Sequence, residues 1–346
     1  MALYALLVFQ ISYSAGIKHW FGGFLTLTVP LAFAINIFFL VSYIISRSWK
    51  FILSLVILII GYPLLERTFK FNLNPAVASN VNRLSVLSYN VMYCDFATAI
   101  PNFTSTNSGR LVNDMDTLSA DIKCFQEFYN RPDYPSLRVV DQIKKNNSHY
   151  TFMHSEIVEN GEVGSLGLAT FSKYPIIHKE EVSWKINNNG VLLTDIVVKK
   201  DTIRVLNVQL RSMGVRLKKA ITSNEIVRNK EAKNILSQLK SGFENRSIQV
   251  DELEAMVKNS PYPIILVGDF NELPYGYAYG RMKNYLENAF EEAGFGFGFT
   301  YHKMPSFLRI DNQFYDGNAF NITDFETFRE LDHSDHYPIL GVYQLK

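Results

Sequence analysis

An α/β sandwich preceded by an N-terminal membrane segment is the fold class this sequence predicts, and three observations carry it. No acidic residue occurs before Glu66, and basic ones are few up to that point. From about Arg83 onward, short strand-type apolar runs are interspersed with two long stretches of helical spacing. Several strand-type runs end in Asn, Glu, Gln or Asp, which gathers polar side chains at one edge of a packed sheet.

The bulk numbers agree. A chain of 346 residues is longer than one average domain, so one large domain plus an added segment is expected. A formal net charge of +1 excludes the global basic field that draws in nucleic acid unselectively. A hydrophobic fraction of 47% with 14% aromatics excludes disorder. Two cysteines, Cys94 and Cys124, exclude a disulfide scaffold and show no metal-type spacing. They fall in neighbouring strand regions and are able to approach one another, but spacing alone assigns no pairing.

Three apolar runs open the chain. Ala2–Ile17 is short for a span and lacks the preceding basic residue of a signal peptide. Phe24–Ile45 is uncharged and long enough to cross roughly 30 Å of hydrocarbon at about 1.5 Å per residue. Phe51–Leu65 is shorter, with Trp49 and Tyr62 at interface positions. Residues 1–69 are therefore expected to form a transmembrane segment of two to three helices. A buried helical hairpin packed on the domain is the alternative. Arg47 and Lys50 in the turn Ser46–Lys50 mark a cytoplasmic loop, which puts the following domain outside the cytoplasm. Lys18, Arg67 and Lys70 pull the other way. Residues 70–82 are polar, contain Pro75 and read as a linker.

The domain of residues 83–346 follows. Arg83–Asn90 reads as a strand, Asp114–Ala120 as a helix, and Ile122–Gln126 as a short strand ending at Glu127. Gly167–Phe171 is a strand before a turn. Val191–Lys199 and Thr202–Gln209 form a hairpin. Asn224–Leu239 and Ile248–Asn259 read as two helical pieces. Ile264–Val267 is an apolar strand, and Ile339–Gln344 closes the chain as another.

Two clusters carry chemistry. In GDFN, Gly268 lets the chain turn, and Asp269 and Asn271 are two apart, so extended geometry puts them on one side. A carboxylate and an amide together orient a water and hold a phosphoryl oxygen; the competing reading is an ordinary strand-end turn. In DHSDH, residues 332–336, an Asp–His dipeptide beside further acidic groups makes a metal and general-acid site. Its competing reading is a polar surface loop. Asn90 and Glu127 at strand ends suit a cation that takes one or two carboxylates and keeps other positions for water and phosphate.

In their order, SYN at Asn90, QE at Glu127, the strand NVQL, GDFN, RID at Asp311 and SDH at Asp335–His336 resemble the endonuclease/exonuclease/phosphatase family, from about Leu84 to the C-terminus. The resemblance implies a four-layer α/β/β/α sandwich and a phosphoester hydrolase using Mg²⁺ or Mn²⁺. It implies Glu127, Asn90 and Asp335 as metal residues, and Asp269 as the group that activates water. Asn271 would stabilise developing charge on the substrate. His336 would polarise or protonate a phosphoryl oxygen, with Asp311 orienting its imidazole. Arg110 and Arg211 are phosphate-contact candidates, as are Arg216, Lys218 and Lys219; solvated surface is the competing reading for all of them. One position departs from the family. At the end of NVQL, where the family commonly has His or Tyr, stands Gln209, which donates a hydrogen bond but carries neither charge nor proton at neutral pH.

The resulting expectation is a phosphodiesterase anchored in a bacterial inner membrane, with its catalytic domain periplasmic or otherwise extracytoplasmic, acting on a phospholipid head group or similar diester. An extracytoplasmic nuclease and a catalytically weak phosphate-binding module are the alternatives. The partners expected are the diester, lipid or nucleic acid, and the bilayer; no obligate protein partner is evident. Tyr275, Tyr277 and Tyr279 after GDFN are candidates for a substrate rim or for simple packing.

Overall fold

Strands apolar on both faces must be covered on both faces, and the computed structural model shows how. It describes residues 1–15, 17–72, 83–95, 106–132, 137–159, 162–184, 189–212, 225–303 and 305–346. The chain begins with four helices: α1 (Ala2–Ser14), α2 (Trp20–Thr26), α3 (Val29–Ile45) and α4 (Phe51–Glu66). A short strand β1 (Phe69–Lys70) follows, then β2 (Arg83–Asn90), helix α5 (Thr106–Thr117), β3 (Ile122–Asn130) and helix α6 (Val139–Ile143). Next come β4 (His149–Glu159), β5 (Glu162–Ser172), β6 (Ile176–Ser183), β7 (Gly190–Val198) and β8 (Asp201–Gln209). The long helix α7 (Glu225–Lys258) leads to β9 (Ile264–Asp269), α8 (Tyr277–Lys283), β10 (Glu287–Asn288), α9 (Ala289–Ala293) and β11 (Gly296–Phe297). The chain closes with β12 (Asp311–Tyr315), β13 (Phe320–Thr327) and β14 (Ile339–Leu345).

One six-stranded sheet runs β10-β12-β9-β8-β7-β6 and the other β13-β14-β2-β3-β5-β4. Each has one parallel pair near its centre, β8 with β9 and β2 with β3. Val86, Ile122 and Cys124 of one sheet pack on Val205, Ile265 and Val267 of the other. The outer faces are covered by Leu111, Val112 and Met115 of α5 on one side and by Val250, Leu253 and Val257 of α7 on the other. The expected α/β/β/α layering is therefore present. Cross-sheet hydrogen bonds add to it: Asn207 of β8 donates to the carbonyls of Phe125 and Ala169 at 3.1 and 3.0 Å.

Several expected elements change. The two helical pieces of residues 224–259 are one helix, because residues 240–247 contain no breaker stronger than Gly242, and a helix tolerates a single glycine at about 1 kcal/mol. The linker does not begin at residue 70: Phe69 and Lys70 pair with Phe297 and Gly296, and Asn72 donates to the Glu292 carbonyl. Residues 73–82 lie outside the described ones. Glu127 lies inside β3, not at its end, on a bulge between Phe125 and Phe128 with φ 51°. Cys94 and Cys124 are both free. Cys94 packs with the α5 side of its sheet and Cys124 with the inter-sheet side.

The stretch Phe24–Ile45 is not one continuous helix. Pro30 starts α3, and the chain bends by 40° between α2 and α3. Among the described residues no single helix is long and apolar enough to cross a membrane; α2 and α3 meet that length and composition only as a bent pair.

Candidate active site

The β8 and β9 strands end side by side, with Gln209 beside Asp269 in register. Asp311, the first residue of β12, lies opposite Asp269 on the other flank. Gly268 makes this approach possible. Its φ is 141°, and a Cβ there would meet the Val208 carbonyl oxygen at 1.9 Å. Beyond Asp269 the chain does not stay extended, as Asn271 has φ 49°. Asn271 still reaches Asp269, by turning back: its backbone N–H donates to Asp269 Oδ1 at 2.8 Å, and its Nδ2 donates to Asp269 Oδ2 at 2.9 Å.

From the facing sheet come Asn90 and Glu127. Asn90 Nδ2 donates to Asp269 Oδ2 at 3.1 Å and to Glu127 Oε1 at 3.4 Å. Gln209 Nε2 donates to the same Glu127 oxygen at 2.8 Å. The bulge at Glu127 re-aims that side chain toward the sheet edge. His336 is buried with Nδ1 2.8 Å from Asp311 Oδ2 and Nε2 3.9 Å from Asp269 Oδ2. Ser334 ties the SDH loop to β2 through a 2.7 Å hydrogen bond to the Asn90 carbonyl.

The electrostatics follow from crowding. Burial pushes Asp269 up to about 7, with His336 opposing and Asp311 adding to the rise. Burial works against charge on His336, but Asp311 and Asp269 overcome it and hold the imidazole well above its ordinary value. Burial raises Glu127 too; His336 opposes this and Asp335 reinforces it. Ligand-type atoms of Asp269, Asp311 and His336 lie within 4.8 Å of one another; His336 is hydrogen-bonded to Asp311, while Asp269 accepts from Asn90 and Asn271.

The structure thus brings together Asn90, Glu127, Gln209, Asp269, Asn271, Asp311 and His336, with Asp335 within electrostatic reach of Glu127 and His336. Arg211 follows Leu210, whose carbonyl accepts from Asn271, and its own N–H donates to Gln249 of α7. Arg110 is exposed on α5, one turn beyond Asn107, which donates to the His333 carbonyl. Arg216, Lys218 and Lys219 lie outside the described residues. Tyr275, Tyr277 and Tyr279 are buried, so the packing role holds for all three. Sequence reasoning missed Tyr93 and Tyr301, which border Glu127, Asp335 and Asp269. Neither stands in a recognisable motif; their nearness to Asn90 and to RID was the one available signal.

Residues 87–336 match the model of the Endonuclease/Exonuclease/phosphatase family. The chain belongs to the endonuclease/exonuclease/phosphatase family. The family is divalent-metal dependent and its members hydrolyse phosphoester bonds; this member is a phosphoester hydrolase. Residues 1–68 match a second model, a domain of unknown function (DUF8431). No curated protein shows significant similarity to the chain. Among solved structures, an endonuclease/exonuclease/phosphatase from Beutenbergia cavernae aligns over 76% of this chain and 72% of its own, at TM-score 0.53 and 15% identity. A family protein from Bacteroides vulgatus aligns over 76% and 99%, at TM-score 0.48 and 15% identity. D. rerio TDP2 complexed with single strand DNA product aligns over 76% and 99%, at TM-score 0.48 and 17% identity. The first of these likenesses concerns the fold alone.

The family member's donor set fits a hard divalent cation. Glu127, Asp335 and Asn90 offer oxygen, and Asp335 disfavours charge on Glu127. The buried Gln209 Oε1 has no partner among the described residues, which leaves one more acceptor at this edge.

Proposed function

We propose that the chain is a Mg²⁺- or Mn²⁺-dependent phosphodiesterase that works at a membrane surface on a phospholipid head group. The observation that carries the catalytic part is the buried line Asp311–His336–Asp269, with Glu127 joined to Asp269 through Asn90. Glu127, Asp335 and Asn90 would hold the cation, which supplies positive charge against the phosphoryl oxygens when bound. Asp269 accepts the proton of the attacking water. Asn271 and Asn90 fix the orientation of that carboxylate. Asp311 holds the His336 imidazole by Nδ1, so that Nε2 faces the reacting centre and donates to a phosphoryl oxygen.

Two observations support the membrane part. Leu3, Phe38, Ile45, Trp49 and Ile59 are 83%, 66%, 76%, 74% and 62% exposed, an apolar surface that a water-facing protein does not keep. The loop after Asp269 also enters the helices: Tyr275 packs with Val8, Phe33 and Leu64. Six extended residues span about 20 Å, so the catalytic edge lies within that reach of the apolar segment.

The test uses the full chain in detergent. Metal-dependent hydrolysis of bis-p-nitrophenyl phosphate is expected, and Asp269→Ala and His336→Ala should each lower kcat by about 10³-fold or more. Full activity in either variant would sink the assignment. A panel of sphingomyelin, phosphatidylinositol phosphates, DNA and RNA then decides the substrate, and a preference for nucleic acid would overturn the head-group reading.

A further inference from the structure

A phosphoryl group brings negative charge on its non-bridging oxygens, and this site meets it mainly with carboxylates. The amide donors are already engaged. Asn90 Nδ2 serves Asp269 and Glu127, Asn271 Nδ2 serves Asp269 and the Leu210 carbonyl, and Gln209 Nε2 serves Glu127. His336 has one nitrogen held by Asp311. Two half-buried phenols, Tyr93 and Tyr301, bring further hydroxyls to this edge.

Both phenols border the same three carboxylates, Glu127, Asp335 and Asp269. Tyr93 donates to Glu127. The Tyr301 ring stands edge-on to His336 with centroids 5.1 Å apart and planes at 73°, and its backbone bridges to that of His336. A phenol keeps its proton at neutral pH, so both hydroxyls act as donors.

The placement of Tyr93 is costly. Met92, Tyr93, Cys94 and Asp95 have φ of 44°, 55°, 54° and 51°, four consecutive non-glycine residues in the left-handed region. The turn is pinned on each side. Met92 N–H donates to Asn90 Oδ1 at 3.1 Å, Cys94 Sγ to the Tyr129 carbonyl at 3.5 Å, and Asn107 Nδ2 to Asp95 Oδ2 at 2.7 Å. Strain kept up in this way is concentrated at functional sites, and what the turn presents to the carboxylate edge is the Tyr93 hydroxyl.

We propose that Tyr93 and Tyr301 are catalytic residues whose hydroxyls donate hydrogen bonds to the non-bridging phosphoryl oxygens of the substrate. The inference rests on the phosphodiesterase reading. When a cation occupies the Glu127 carboxylate, the Tyr93 hydroxyl turns to the next anion, which is the phosphoryl group.

The experiment compares wild type, Tyr93→Phe, Tyr301→Phe and the double variant, as full chains in detergent. Calorimetry measures Mn²⁺ affinity, then the affinity of the Mn²⁺-loaded protein for inorganic phosphate; kcat on bis-p-nitrophenyl phosphate is measured in parallel. Each Phe variant should lose about 10-fold in phosphate affinity and 10- to 100-fold in kcat, and the double variant more, with Mn²⁺ affinity and Tm unchanged. Wild-type phosphate affinity in the double variant overturns the proposal. So does a loss that weakened Mn²⁺ binding accounts for entirely, which would make Tyr93 a positioning residue for Glu127, and so does a wild type that binds no phosphate. If wild type binds phosphate, the double variant does not, and no diester is hydrolysed, the diesterase reading fails and the phenols remain assigned.

Discussion

At Gln209 the chain spends a neutral amide on the Glu127 carboxylate, 2.8 Å away. If Glu127 holds the cation as proposed, Gln209→Ala removes a donor that orients its carboxylate, and Mn²⁺ affinity measured by calorimetry should fall about 10- to 100-fold. An unchanged affinity would mean that Asn90 orients Glu127 unaided. Asp311 acts on the imidazole in a similar way, and it also helps to hold His336 protonated against its burial. The sign follows: a raised imidazole value keeps the proton to higher pH, so removing Asp311 moves its loss to lower pH. Asp311→Asn should lower kcat by about 10²-fold or more and shift the alkaline limb of the pH profile downward; a limb that stays in place would assign it to another group. Gln209 was legible because it stands at a strand-to-loop exit, where a polar group ends an apolar run; Asp311, at the start of β12, was legible through the order of the motifs that carry the family resemblance. Tyr93 was not legible, since a left-handed turn built without glycine leaves no mark in the residue types. Nor was the bulge at Glu127, because nothing in Gln126-Glu127-Phe128 distinguishes an unpaired strand residue from a paired one.

The element that holds the catalytic loop is α7. Its Arg246 is buried, donates to the Arg211 carbonyl at 2.7 Å and pairs with Glu272 at 3.5 Å, three residues past Asp269. Glu272 in turn accepts from the Ala278 N–H at 2.7 Å, which closes the loop onto the start of α8. Removing one partner leaves the other as an uncompensated buried charge, so Arg246→Ala should cost about 3–5 kcal/mol in denaturant unfolding. A loss below about 1 kcal/mol would show that the loop holds itself. About two turns further along α7, burial opposes charge on Glu254, but hydrogen bonds from Lys258, Arg281 and Tyr285 prevail and lower it from 4.5 to about 2. A carboxylate lowered on folding contributes stability above pH 4.5 and loses it as pH falls toward about 2. Thermal unfolding should therefore lose less between those pH values in Glu254→Gln than in wild type, and parallel curves would reject this. The apolar spacing of α7 was visible in sequence. Its continuity was not, because Gly242 and the polar residues around it interrupt that spacing from Lys240 to Ser247, where Phe243 meets Gly23 of α2, a contact between distant parts of the chain.

Over the whole molecule, the N-terminal segment is more than a tether. Ser12 of α1 donates to the Tyr275 carbonyl at 2.8 Å and Arg67 donates to the Pro274 carbonyl at 3.0 Å. Thr68 shares a 2.7 Å hydrogen bond with the Tyr275 hydroxyl. The buried Arg309 guanidinium, two residues before Asp311, donates to the Arg67 carbonyl at 2.6 Å. Ala15 fills the space where a Cβ on Gly280 would stand, at 2.3 Å. The apolar character of residues 1–65 was plain from composition. That one side of this segment docks on the loop after GDFN was not, because the docking atoms are largely backbone carbonyls, which every sequence has. The catalytic domain thus has two of its loops, those after Asp269 and before Asp311, braced by residues 1–68. A chain that starts at residue 83 would expose Tyr275 and leave an Arg309 donor without its acceptor, the latter alone costing about 1–3 kcal/mol. Compared with the full chain in the same detergent, the shortened one should melt at least about 5 °C lower and turn over bis-p-nitrophenyl phosphate more slowly. A shortened chain with unchanged Tm and kcat would show that residues 1–68 do not brace the catalytic loops. Slower turnover would instead show that catalytic geometry depends on the segment with the large exposed apolar surface, so that removing those helices weakens the reaction itself.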